Sequence, residues 1–230
     1  VIESRGLGDV YKRQVNSLHI IFRSCASVKM LSQSKERVFS EEKQEYSIRS
    51  LNSIVKSLNH SKHLFNKIGL KLTIIDHESS KVVIEKYKKI LNNQFFNFDI
   101  KKLEFEKYKT IINNINQANK KVSENQKSNM SNIGQSLDLS LNSDDLIYFV
   151  EDDYIHKINS IEEMIYTYEK FSSLINNELF LCPTDYPYLY INPTKTNVLF
   201  GNKSHWRRID QTLCTFLTVS YTHLRAHETR

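Results

Sequence analysis

An α/β fold with a mostly parallel central sheet flanked by helices is predicted by three features of the 230-residue chain. Short runs rich in Ile, Leu, Val and Phe end abruptly in polar residues, and segments of helical apolar spacing lie between them. This strand-helix alternation repeats along the chain, which points to parallel strands joined by right-handed crossovers.

The first strand is LHIIFRSC (18–25). Ser40, Glu41 and Glu42 mark a helix start with acids where the helix dipole favours them, and Leu51, Ile54, Val55 and Leu58 share one face behind it. LKLTII (70–75) is the second strand and stops at Asp76, His77, Glu78, Ser79 and Ser80. Val83, Tyr87, Ile90 and Leu91 resume the helical period. The Asn- and Lys-rich stretch 92–120, interrupted by Phe95, Phe96, Phe98 and Phe105, reads as a short strand near 95–98 and a helix near 104–118. Met130, Ile133, Leu137 and Leu141 lie on one face of a further helix that feeds the strand LIYFV (146–150).

Beyond that strand, Ser160 and Glu163 fit a Ser-x-x-Glu capping box, with Ile161, Met164, Ile165 and Tyr168 as the buried face. ELFLC (178–182) reads as a strand broken by Pro183. A Tyr- and Pro-rich loop follows, then NVLF, then HWRRIDQTLCTFL, which reads as a long edge strand or a hairpin. No repeat recurs at a solenoid period.

Both ends look foreign to this pattern. Residues 1–14 and 219–230 resemble translated adaptor sequence, so residues 15–218 are expected to form one domain whose natural C-terminus lies elsewhere. Each end carries one net positive charge, so the formal +6 of the chain falls to +4 for the central part. That value is ordinary for a chain with 25% charged residues and does not single out nucleic acid as a partner. Cys25, Cys182 and Cys214 form no CxxC pair, which favours reduced thiols in a cytosolic compartment and packing roles for Cys182 and Cys214. No apolar run is long enough to span a bilayer, and no signal peptide is evident.

The chemistry concentrates at LIYFVEDDYIH (146–156), where five apolar or aromatic residues run into Glu151, Asp152 and Asp153. Adjacent carboxylates repel, and they stay ionised at low cost only beside positive charge. Either a Mg2+ or Mn2+ ion carrying a phosphorylated ligand supplies it, or the triplet is a solvated acidic turn. Parallel strands share a C-terminal edge, so Arg23, Ser24 and Cys25, Asp76 with Ser79 and Ser80, and the triplet should converge there.

In order and spacing, HIIFRSC, IIDHESS and SNIGQSLDLSLNSDDLIYFVEDDY resemble the nucleotide-sugar glycosyltransferases of the GT-A type, broadly the family-two-like enzymes with a Rossmann-like fold. The resemblance covers about residues 15–217. It implies transfer of a sugar from a nucleotide-diphosphate donor to a saccharide or lipid-linked acceptor, in the cytoplasm or at the inner face of the membrane. Arg23, Ser24, Asp76, Ser79 and Asp152 would bind nucleotide, with Asp76 on the base or ribose and Asp152 on the ribose. Glu151 and Asp153, the outer positions of a DxD-like motif, would hold the metal. Asp185 and Asp210 are the candidates for the catalytic base, which in the family lies beyond a Gly-containing segment that matches the region of Gly201. Tyr186, His205, Trp206 and Arg207 would face acceptor or diphosphate. The rivals are a metal-dependent phosphoesterase or nuclease, and a non-catalytic nucleotide-sugar-binding domain.

Overall fold

The computed structural model describes residues 12–26, 41–115, 119–184, 186, 190–191, 195–209 and 214–220. Its centre is a five-stranded sheet of order β3-β2-β1-β4-β7, where β1 is Ser17–Ser24, β2 Gly69–Asp76, β3 Asn97–Lys102, β4 Leu146–Glu151 and β7 Phe216–Val219. The first four are parallel, and β7 runs antiparallel to β4 at one edge. A separate antiparallel pair joins β5, Val198–Phe200, to β6, His205–Arg207. The α/β class and the mostly parallel sheet are as the alternation predicts.

Strands buried on both faces need apolar residues at consecutive positions, and β1 has them: Leu18, Ile20, Ile21 and Phe22 are all buried. Ile20 and Phe22 join Leu72, Ile74, Tyr148 and Val150 in the larger core layer. Ile21, Ile75, Ile147 and Phe149 point to the opposite face and form a smaller one. The larger layer is closed by helices α1 (Lys43–His60), α2 (Lys81–Leu91) and α5 (Ser160–Ile175). Leu51, Ile54, Val55 and Leu58 of α1 and Val83, Tyr87 and Leu91 of α2 are buried, matching the helical spacing. Helix α1 starts at Lys43 behind Glu42, while Ser40, the expected start, lies outside the described residues.

The smaller layer is covered in an unexpected way. Helix α4 (Glu124–Ser140) buries Ser128, Ser131, Asn132, Gln135, Ser136 and Ser140, while Met130, Leu137 and the following Leu141 are each about half exposed. Its apolar stripe therefore faces outward, the reverse of the usual amphipathic arrangement. The cause lies in the strand ends beneath it, whose backbone groups need partners. Asn132 donates to the carbonyl of Ile75 at 3.0 Å. Gln135 donates to the carbonyl of Lys102 at 3.1 Å and accepts from the amide of Glu104 at 2.7 Å. Gly134 permits close approach to Tyr108, because a Cβ there would lie 3.0 Å from that ring.

Other local readings shift. The third strand begins at Asn97, later than the expected 95–98, because Phe95 and Phe96 turn in to pack against each other and the larger layer. The helix expected over 104–118 is only α3, Phe105–Lys109; Ile111 and Ile115 are exposed and Ile115 bridges to Lys121. The capping box forms at Ser123, ahead of α4, with Gln126, whereas α5 starts at Ser160 behind Asn159, which makes no side-chain cap. ELFLC makes a single bridge, Leu181 to Leu217, instead of a strand. HWRRIDQTLCTFL is divided between β6 and β7, which belong to different sheets.

Arg13, within the segment expected to be foreign, is paired with Asp145 and Glu178, and Ser220 donates to the carbonyl of Asp145. Among the described residues no helix is long and apolar enough to cross a membrane.

The reversed docking of α4 sets a measurable contrast. Asn132→Ala strips the donor from a buried carbonyl and should cost about 1–3 kcal/mol in urea denaturation. Met130→Gln, on the outward face, should stay within about 0.5 kcal/mol of the parent; the opposite ranking would mean that the apolar stripe is the packed one.

Candidate functional site

Register decides what meets at the C-terminal edge of the sheet. Ser24 of β1 is level with Asp76 of β2, and Arg23 is level with Glu151 of β4. The chain leaves β1 toward β2 and β3 on one side and returns to β4 on the other. The crevice between the ends of β1 and β4 is thus a topological switch point, the place where open α/β sheets take their ligands.

The residues around that crevice are tied by backbone as well as side chain. Cys25 donates its amide to Asp152 Oδ2 at 3.0 Å, so the loop after β1 is pinned to the acids after β4. Ala26 donates its amide to Ser79 Oγ at 3.1 Å, and Ser79 donates its own amide to Asp76 Oδ2 at 3.0 Å, which pins the same loop to the turn after β2. Ser24 Oγ meets Tyr87 OH at 2.8 Å, and Tyr87 in turn meets Ser47, a buried hydroxyl chain beneath the edge. Asp76 is 7% exposed, and its buried Oδ1 has no hydrogen-bond partner among the described residues. A carboxylate oxygen left unpaired at that burial is costly, and a ligand donor would relieve it.

The acids find their positive charge within the protein. Arg23 lies 3.2 Å from Glu151, and Lys43 lies 3.5 Å from Asp152. Arg23 also donates to Asn129 and to the carbonyl of Cys214. Burial pushes the Glu151 carboxyl above its usual range; Arg23 opposes this, and the charges of Asp153 and Asp152 reinforce it. Asp153 is exposed. Among the described residues no group of three or more His, Cys, Asp or Glu side chains is gathered to hold a metal ion. Burial also raises the thiol of Cys25, which sits 3.9 Å from His77 Nδ1, while Ser128 Oγ lies 2.6 Å from that nitrogen.

The other expected contacts assemble elsewhere. Tyr154, immediately after the triplet, hydrogen-bonds Tyr186 and lines a cavity of about 490 Å3 that His205, Trp206 and Arg207 also line. Glu163 organises its far wall. The carboxylate accepts from Trp206 Nε1 at 3.0 Å, from the amides of Asn202, Lys203 and Ser204, and from the Thr167 hydroxyl. Burial alone would raise its pKa, and these donors outweigh burial and lower it. A Cβ at Gly201 would strike both Glu163 and Thr167, so glycine is required by close approach. Asp185 and Asp210 lie outside the described residues.

Comparison with protein-family models, curated proteins and solved structures returned no match. The site is therefore read from its own geometry. That geometry brings Arg23, Ser24, Asp76, Ser79, Glu151 and Asp152 to one edge and sets Tyr186, His205, Trp206 and Arg207 around or beside the cavity. Lys43, Tyr87 and the bonding of Glu163 escaped the sequence reading. Lys43 had a legible signal, since the first turn of a crossover helix returns to the edge where the preceding strand ends. Glu163 had none, because its partners are about 40 residues away.

Two buried histidines give the fold a pH dependence. His156 meets Tyr148 OH at 2.8 Å and Ser53 Oγ at 3.2 Å, and burial pushes its pKa down to about 4. His19 lies between Ser143 and Thr73, and burial, aided by the charge of Lys71, likewise pushes it down to about 4. Both are held neutral in the fold, so the unfolded chain binds more protons below the ordinary pKa of 6.5. Stability is complete above pH 6.5 and should fall by about 2 kcal/mol per histidine between pH 6.5 and 5. Urea midpoints at pH 7 and pH 5 measure the loss, and His19→Gln should shrink it; a flat profile in the parent protein would contradict the assignment.

Proposed function

We propose that the chain binds the nucleoside diphosphate of a nucleotide sugar at the β1–β4 crevice and transfers the sugar to a saccharide or lipid-linked acceptor. One observation carries the reading: Asp76 presents a buried, unpartnered carboxylate oxygen on the strand next to the switch point. A nucleobase ring N–H or a ribose hydroxyl is the donor that such an acceptor lacks. Asp152, fixed by the Cys25 amide, would accept from a second sugar hydroxyl. Arg23 and Lys43 are engaged by Glu151 and Asp152, so a diphosphate at the same edge would take its compensating charge from a bound cation.

The donor set at the acids is oxygen only, which suits Mg2+ or Mn2+. Such ions often need one or two protein carboxylates plus substrate phosphates, so the smaller set of Glu151 and Asp153 fits without a third ligand. When bound, the ion would stabilise charge on the departing diphosphate. Burial pushes the Glu151 carboxyl above its usual range, and a neighbouring cation would favour its ionised form. In the resemblance that motivates this reading, Asp185 or Asp210 would remove the acceptor proton. A protein working on lipid-linked acceptors would sit in the cytoplasm against the inner membrane face. The phosphoesterase reading would want more ligands to activate water than the carboxylates gathered among the described residues supply.

Isothermal titration with UDP and GDP, with and without Mg2+, tests the reading. Metal should strengthen nucleotide binding, and Asp153→Ala should remove that increment. Asp76→Asn, which keeps the size but loses the charged acceptor, should weaken binding roughly tenfold. No affinity for either nucleotide, with or without metal, would end the proposal.

A further inference from the structure

Tyr87 lies on the inner face of α2 with no exposed surface, its ring edge-on to Phe22 of β1 at 6.3 Å between centroids. Its hydroxyl bonds Ser24, the last residue of β1, at 2.8 Å and also bonds Ser47 of α1. Ser24 and Ser47 are themselves fully buried, so three hydroxyls from three elements satisfy one another away from solvent. A Phe ring would fill the same space against Phe22. The hydroxyl therefore contributes direction where the ring contributes volume.

Each serine leads to Asp152 by a different route. Ser24 precedes Cys25, whose amide donates to Asp152 Oδ2 at 3.0 Å, and the Ser24 carbonyl accepts from the His77 amide at 3.0 Å. Ser47 lies about one helical turn after Lys43, whose ammonium is 3.5 Å from Asp152 Oδ1. That first turn has little local support, because the N-cap residue Glu42 makes no side-chain cap. Both oxygens of the carboxylate are thus held by groups whose backbone is fastened at the Tyr87 hydroxyl. Burial pushes the phenol above its ordinary range, the two serine bonds oppose this, and the charges of Asp152 and Asp76 push it further up. It stays an uncharged hydroxyl at neutral pH and braces the acids without adding to their repulsion.

We propose that the Tyr87 hydroxyl is a positioning group for Asp152: through Ser24 it sets the Cys25 amide on one carboxylate oxygen, and through Ser47 it sets Lys43 on the other. Calling Asp152 a ligand group rests on the nucleotide-sugar reading. Its tethering through Tyr87 does not.

Amide NMR spectra of the full chain, without nucleotide or metal, read the first arm. Asp152→Ala marks where the Cys25 amide resonates without its acceptor. Tyr87→Phe should move that amide toward the same position, with the amides of Ile20 and Leu72 in the central strands unmoved, and should move it no further in the Asp152→Ala background. Ser24→Ala deletes the same bond from its other end with the aromatic packing intact, and should reproduce the shift. The second arm is read by the rate at which Lys43 is acetylated, followed by mass spectrometry; Tyr87→Phe and Ser47→Ala should each raise it about threefold. A Cys25 amide at its parent position in Tyr87→Phe and Ser24→Ala, a shift shared equally by Ile20 and Leu72, a further shift in the Asp152→Ala background, or an unchanged Lys43 rate would each overturn the assignment. Because no nucleotide is present, failure of the donor reading and failure of this tether are read separately.

Discussion

The parallel pairing of β1 with β2 on one side and β4 on the other is the constraint on which everything else depends. It brings Ser24 level with Asp76 and Arg23 level with Glu151 although these pairs are separated by 52 and 128 positions of sequence. Side chains alternate across a strand, so a one-residue slip would exchange the two core layers and would carry Asp76 away from the loop after β1. Ile20 and Phe22 on one face and Ile21 on the other are all buried, which makes that slip expensive. The hydrophobic register thus sets the geometry of the polar edge.

At that edge the problem is repulsion among carboxylates, and the fold answers it in layers. Arg23 and Lys43 neutralise Glu151 and Asp152. The amides of Cys25 and Ser79 stabilise Asp152 and Asp76 without adding charge. Asp76 Oδ1 is left over, buried and unsatisfied. Unsatisfied polar atoms are rare in packed interiors, so a leftover acceptor at a ligand-binding edge is informative where an exposed acid is not.

Helix α4 shows how the same edge reshapes its surroundings. Strand ends expose carbonyls and amides that the sheet cannot pair, and a helix covering them needs amide side chains on its inner face. Asn132 and Gln135 provide these groups, and the small Ser and Gly residues around them let the backbones approach. Met130 and Leu137 are turned outward as a consequence. The apolar spacing was real, but the hydrogen-bond requirement beneath the helix outranked it.

What the amino-acid sequence determined by itself was local and periodic: the buried strands, the buried faces of α1, α2 and α5, and the polar residues at each strand end, because burial on a strand or helix leaves a repeat of two or 3.6 residues. That alternation also implied parallel strands, and with them a shared edge for Arg23, Ser24, Asp76 and the acids. Tertiary structure alone decided which partners those groups meet. Lys43 on Asp152, Glu163 gripping the 202–204 turn, and Asn132 on the Ile75 carbonyl join residues far apart in the chain. Hydrogen bonds and ion pairs of this kind carry no period, so only the packing of elements against one another selects them.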